Sequence, residues 1–153
     1  MAASSYVTRL RCSIGHDLLL LPAVAVLAFD ERRRLLLVRQ SDDGCWATVG
    51  GAVEPDESPA DAAVREAAEE TGLEVELVSL RGVFGGPSFR HRYPNGDECS
   101  YVAIVFEASV VGGRARPDGD ETLEIGWFDT TELPLGEVND FTVALFEAVG
   151  LGA

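Results

Sequence analysis

The sequence predicts an α+β domain, and three observations carry that prediction. A helix with clear start and stop signals occupies the middle of the chain, from Pro59 to Gly72. Short apolar runs of strand length, rich in Val, Leu and Ile, lie on both sides of it. The 153 residues are 46% hydrophobic, with no internal repeat or low-complexity tract. That is enough for one proper core, so a single domain over residues 1–153 is expected.

Each element has its own warrant. Ser5 caps a short N-terminal helix through Leu10. Val24 to Phe29 and Leu35 to Arg39 read as a hairpin, joined by the polar turn from Asp30 to Arg33. The twelve-residue apolar run from Leu18 to Phe29 follows Arg9 and Arg11, an order also found in secretory signals. His16 and Asp17 interrupt its approach and it is too short to span a bilayer, so it is read as strand. Trp46 to Val53 forms a short strand through Gly50-Gly51. Pro55-Asp56 is a turn, Ser58 an N-cap, Pro59 the first helical residue, and Asp61 favours the positive end of the helix dipole. Gly72 ends the helix in the left-handed conformation.

Ala60, Ala63, Val64 and Ala67 form the apolar stripe expected to pack this helix on the sheet. At about 100° per residue, Glu66, Glu69 and Glu70 should point more than a quarter-turn away from it. Val75 to Phe84 and Tyr101 to Val110 are strands separated by a loop rich in Gly, Pro and Arg. Ile125 to Phe128 is a further short strand. Asn139 caps a last helix with Phe141, Leu145 and Val149 on one side.

Composition narrows the function. A net charge of −14 excludes nonspecific binding to nucleic acid or to anionic membranes. All twelve basic residues are arginine, so any side-chain contact to phosphate must come from Arg, from the two histidines or from metal. Cys12, Cys45 and Cys99 are odd in number and lack a C-x-x-C pair, so they read as reduced thiols of a cytoplasmic protein.

The chemistry concentrates in Gly51 to Leu73. Glu66, Glu69 and Glu70 stand three and four positions apart, which stacks carboxylates on one side of a helix. Crowded carboxylates repel unless something positive holds them, and hard divalent cations suit oxygen ligands. An acidic solvent face is the plainer reading of such a run, and Arg65 with Glu69 is a plain i,i+4 ion pair.

The wider pattern decides between them. Gly51-x5-Glu57-x7-Arg65-Glu66-Ala67-x-Glu69-Glu70-x-Gly72-Leu73 resembles the Nudix box of the MutT-like pyrophosphohydrolases across all its positions. The likeness extends more loosely to the strand pair before the box and to Trp127-Phe128 with Glu132-Leu133-Pro134. One departure stands just upstream, where Val49 replaces the usual proline before Gly-Gly; no ligand is lost by it.

The resemblance implies a mixed sheet sandwiched between helices, an α/β/α arrangement, and hydrolysis of a diphosphate linkage in a nucleoside diphosphate derivative. It implies Mg2+ or Mn2+ held by Glu66, Glu69 and Glu70, completed by a backbone carbonyl at Gly50 or Gly51. Arg65 and Glu57 would form an ion pair that orients these ligands. The general base is either a box glutamate or an acid on a later loop, where Glu121 is preferred over Asp120 and Glu124. Substrate recognition is expected from Phe89, Arg90, Arg92 and Tyr93, with Arg39 a further phosphate contact.

Pro87 approximates a cue of family members acting on ADP-ribose, and Tyr93 approximates a cue of those acting on diadenosine polyphosphates. Neither cue decides, and the substrate stays open among a nucleoside triphosphate, a nucleotide sugar and ADP-ribose. Many single-domain members dimerise, though no segment here marks an interface. The rival reading is a regulatory domain that binds a nucleotide without turnover; an intact Glu66, Glu69 and Glu70 favours the enzyme.

Overall fold

Period-two alternation in one buried strand organises the molecule. The computed structural model describes residues 4–152, so the ends of the expected domain, residues 1–3 and 153, lie outside the described residues. The elements in chain order are α1 (Ser5–Ile14), β1 (Leu19–Phe29), β2 (Leu35–Gln40), β3 (Trp46–Ala47), β4 (Val49–Ala52), α2 (Pro59–Thr71) and β5 (Leu73–Phe84). A 3-10 turn (Pro87–Phe89), β6 (Arg90–Arg92), β7 (Glu98–Gly113), β8 (Thr122–Phe128) and α3 (Asp140–Val149) follow.

Along β1, Val24, Val26 and Ala28 face one way and pack on Ala62, Ala63 and Ala67 of α2. The alternate residues Ala25, Leu27 and Phe29 face the other way and pack near Leu145 and Phe146 of α3. The sheet is mixed: β1 runs parallel to β7 and antiparallel to β4. β5 lies antiparallel on the far side of β7, while β2 pairs with β3 and β8. The expected mixed sheet between helices is therefore the observed architecture.

Several boundaries move, each for a tertiary reason. α1 is capped by Ser4, whose hydroxyl accepts from the Val7 N–H at 3.1 Å, and continues past Leu10 to Ile14. The apolar run with signal-like flanks is β1, which begins at Leu19 rather than Val24 because β7 pairs with it from Cys99 onward. Trp46 to Val53 divides into β3 and β4, which have different partners. The loop after β5 contains a strand absent from the sequence reading: β6 pairs with β7 as Arg90↔Ser100, His91↔Cys99 and Arg92↔Glu98.

The largest correction concerns α2. Its buried residues are Ala62, Ala63, Glu66, Ala67, Glu70 and Thr71, while Ala60 and Val64 are exposed. The helix is turned by about a sixth of a turn from the expected stripe. Glu66 and Glu70 thus lie on the buried face, not away from it.

Candidate active site

Local signals set the position of α2. The Ser58 hydroxyl accepts from the Asp61 N–H at 3.1 Å, Pro59 opens the helix, and Gly72 closes it at φ 73 with its N–H on the Ala68 carbonyl. The helix then presents Arg65, Glu66, Glu69 and Glu70 beside Gly50-Gly51 of β4.

Arg65 is the hub. Its Nε donates to Glu57 Oε2 at 2.7 Å and its Nη2 to Glu57 Oε1 at 3.0 Å, a two-point fork. Nη2 also reaches the Ala52 carbonyl at 3.2 Å, tying the helix to the end of β4. Nη1 donates to Glu66 Oε1 at 2.9 Å and to Glu69 Oε2 at 3.1 Å. The Arg65 hydrogen bonds hold the Glu57 carboxyl below its ordinary range.

The deeper pair is charged against its environment. Burial raises the proton affinity of Glu66, with Arg65 opposing the shift. Glu70 is raised further, first by burial and then by the charge of Glu66, and the Gly50 N–H opposes this at 3.4 Å from Oε1. Gly51 closes over the pair: a Cβ there would stand 2.2 Å from Glu66 Oε1. At Gly50 a Cβ would meet the Val24 carbonyl at 2.3 Å. The main chain approaches because neither residue has a side chain.

Two buried carboxylates with raised proton affinity, under a closely packed glycine backbone, make a hard-oxygen donor set that fits a divalent cation. Glu69 does not join them; its side chain is 61% exposed and paired with Arg65. Among the described residues no three His, Cys, Asp or Glu side chains are already gathered as a ligand set.

Glu66 opens into a cavity of ≈ 480 Å³, within the range of about 300–1,000 Å³ usual for small-molecule sites. Asp120 and Glu121 line the same cavity, and the charge of Glu121 reaches Glu70. Asp118, absent from the sequence reading, orders their loop: its Oδ1 accepts from the N–H groups of Asp120, Glu121 and Thr122 at 2.9, 3.0 and 2.9 Å. The Asp-Gly-Asp turn is the sequence signal for it.

A second, adjoining cavity lies beyond Gly50 and Gly51, bordered by Gln40, Asp42, His91, Tyr93, Tyr101 and Phe141. Asp42, Tyr93 and Tyr101 line both. The rings of His91 and Tyr93 meet edge to face at 4.4 Å, and the hydroxyls of Tyr93 and Tyr101 are hydrogen-bonded. Burial pushes the Tyr93 phenol up to about 12.

Here the expected binding residues separate. Tyr93 lines the cleft. Phe89 is buried between Phe84 and Phe141 and offers no face to a ligand. Arg90 and Arg92 lie on the other side of β6 from His91 by strand alternation, and Arg90 pairs with Glu98 at 3.0 Å. Arg39 donates to Glu124 at 3.1 Å and to the Gly44 carbonyl at 2.9 Å, and borders neither cavity. His91 and Tyr101 are not among the binding residues singled out from the sequence, although counting by two from Tyr93 reaches His91 at once.

Comparison with known proteins identifies the family and the fold. The NUDIX domain family model matches residues 19–148. An ADP-ribose pyrophosphatase of Methanocaldococcus jannaschii is 40% identical over 123 residues, covering 78% of this chain and 69% of that protein. A Bacillus subtilis protein, provisionally named as an 8-oxo-dGTP diphosphatase, is 37% identical over 123 residues, 76% of each chain. The crystal structure of a MutT NUDIX hydrolase from Burkholderia pseudomallei superposes with a TM-score of 0.70 at 25% identity, covering 88% of this chain and 99% of that one.

Proposed function

The chain belongs to the Nudix family of hydrolases, and on that premise we propose that it cleaves the diphosphate linkage of a nucleoside diphosphate derivative with the help of Mg2+ or Mn2+. The candidate substrates are a nucleoside triphosphate, a nucleotide sugar or ADP-ribose. The observation that carries the reading is the buried Glu66–Glu70 pair under the Gly50-Gly51 backbone, at the mouth of a cleft with an aromatic far wall.

Glu66 and Glu70 would hold the cation, with a carbonyl of Gly50 or Gly51. A bound divalent ion would acidify water here and offset charge on the phosphates. Arg65 steadies Glu66 and, through Glu57, the turn before the helix. Glu69, held by Arg65 at 3.1 Å, would be the third carboxylate available to the cation. Glu121, which lines the same cavity as Glu66, would take the proton of the attacking water as the P–O bond to the leaving phosphate breaks. Tyr93 and His91 would supply ring surface for a nucleobase in the adjoining cavity. The names of the relatives differ in the nucleobase, and the charge of −14 supports a small-molecule partner over nucleic acid. We place the activity in the cytoplasm, a reducing compartment that suits three unpaired cysteines. No helix among the described residues is long and apolar enough to cross a membrane.

The test is a hydrolysis screen with Mg2+ and with Mn2+ over nucleoside triphosphates, nucleotide sugars, ADP-ribose and dinucleoside polyphosphates, read by chromatography of the nucleotide products. Turnover of at least one, abolished by chelation, is expected. Tight nucleotide binding without turnover under every condition would favour a regulatory domain instead.

A further inference from the structure

We propose that α1 forms one wall of the substrate cleft and that Arg11 is the positioning residue that holds it there. The inference rests on the functional reading above but concerns a part of the chain outside residues 19–148, the span matched by the family model.

α1 has no buried residue of its own, and an isolated helix of this length is marginal in water. Something else must fix it. Ser4, Val7 and Arg11, spaced on one side of the helix, line the cavity that also contains Glu66 and Glu121. Val7 packs on the small cluster of Leu21, Ala23, Cys99 and Tyr101, with Tyr93 at its edge. Those two tyrosines are shared by both cavities. The position of α1 therefore bears on the surface offered to a nucleoside.

Arg11 supplies the attachment. Its Nη1 donates to the carbonyls of Gly15 at 3.0 Å and Asp17 at 2.5 Å, closing the C-terminal end of α1. Its Nη2 donates to the Glu98 carbonyl at 2.8 Å and to Cys99 Sγ at 3.5 Å, at the start of β7. Nε lies 3.6 Å from Asp97 Oδ2, and His16 adds a second contact to the same carboxylate at 2.7 Å. A guanidinium has four Nη–H donors, and each of the four Nη contacts takes one. Among the described residues, Arg11 is the basic side chain lining a cavity bordered by Asp42, Glu54, Glu66, Asp97, Asp120 and Glu121. With its donors engaged by the protein, it acts as a clasp and not as a phosphate ligand.

The experiment measures KM and kcat of Arg11→Ala, Arg11→Lys and Val7→Ala for the best substrate of the screen, with melting curves to establish folding. Arg11→Ala should raise KM about tenfold with kcat within about twofold, the pattern of lost binding surface. Val7→Ala should move KM the same way by less, and Arg11→Lys should recover only part because an ammonium cannot reproduce the fork. If Arg11→Ala does not fold, Val7→Ala and Asp97→Asn carry the same comparison. Unchanged KM in the folded variants, or a loss confined to kcat, overturns the proposal while leaving the enzyme reading intact. If the wild type binds without turnover, dissociation constants for ADP and GDP replace KM and the same criteria apply. A wild type that neither binds nor hydrolyses any nucleotide overturns both.

Discussion

The two walls of the cleft are built by different physics. The carboxylate wall is a helix: Glu66 and Glu70 are placed by a four-residue step, by the Ser58 cap and by one arginine, all within a short stretch of chain. The aromatic wall is assembled from afar: His91 lies in the short strand β6, Tyr93 just after it, Tyr101 in β7, Phe141 in α3 and Val7 in α1. A helical site survives small errors of reading because i and i+4 stay aligned. A strand site does not, since a shift of one residue reverses every side chain. On the proposed function the first wall would hold the cation and the diphosphate, and the second would tell substrates apart.

The sharpest way to break the comparison is at the carboxylate wall. Glu70→Gln should reduce kcat on the order of a hundred- to a thousandfold while the fold persists, since a buried carboxylate proposed to hold the cation is replaced by a neutral amide. Circular dichroism and a melting curve would establish the fold; near-normal kcat would remove Glu70 from the chemistry. Gly51→Ala should cost about ten- to a hundredfold in kcat without touching any ionisable group, because the added methyl would stand 2.2 Å from Glu66 Oε1 and displace it. A Gly51→Ala enzyme of full activity would show that the close approach of this strand is dispensable.

The aromatic wall should respond in KM instead. Tyr93→Ala and His91→Ala each remove ring surface from the cleft and should raise KM by about tenfold. Arg90→Ala and Arg92→Ala, on the opposite side of β6, should stay within about twofold of wild type. The reverse result, with the arginines mattering and the rings not, would mean that the substrate enters over the other side of this strand.

What could be read in advance follows the same division. The caps of α2, its glycine stop and the cap of α3 at Asn139 are legible because each depends on neighbours a few residues away. The rotation of α2 is not legible: hydrophobic periodicity puts Val64 inside and cannot foresee that two glutamates are buried in its place. β6 is hidden inside a Gly- and Pro-rich loop because its partner, β7, supplies the hydrogen bonds. Weighing charge over alternation then draws attention to Arg90 and Arg92 and away from His91. Phe89 looks like a stacking ring by type alone, whereas its contacts with Phe84 and Phe141 make it core.

The smallest effect concerns the attachment of α1 to the aromatic wall. The His16 hydrogen bond holds the Asp97 carboxyl below its ordinary value of 3.8, with Asn95 and Arg11 adding to the effect. A carboxyl depressed in the folded state contributes stability that is fully present above the unfolded value and is lost as pH falls through the folded one. Lowering the pH from about 5 to about 3 should therefore weaken the latch. Asp30 beside Arg34 and Glu107 between Arg33 and Arg81 are depressed as well and lose stability over this window, whereas Glu66 and Glu70, raised by burial, change in the opposite sense. The informative quantity is the difference in melting temperature between wild type and Asp97→Asn, which should be small near neutrality and shrink toward zero on acidification. Asp97 is partly exposed and its partner His16 largely so, and solvent-screened ion pairs stabilise weakly, so a few degrees at most is expected. A difference that stays constant with pH would mean that the substituted amide loses packing or hydrogen bonding common to both protonation states, and that the charge of Asp97 does not hold α1 in place.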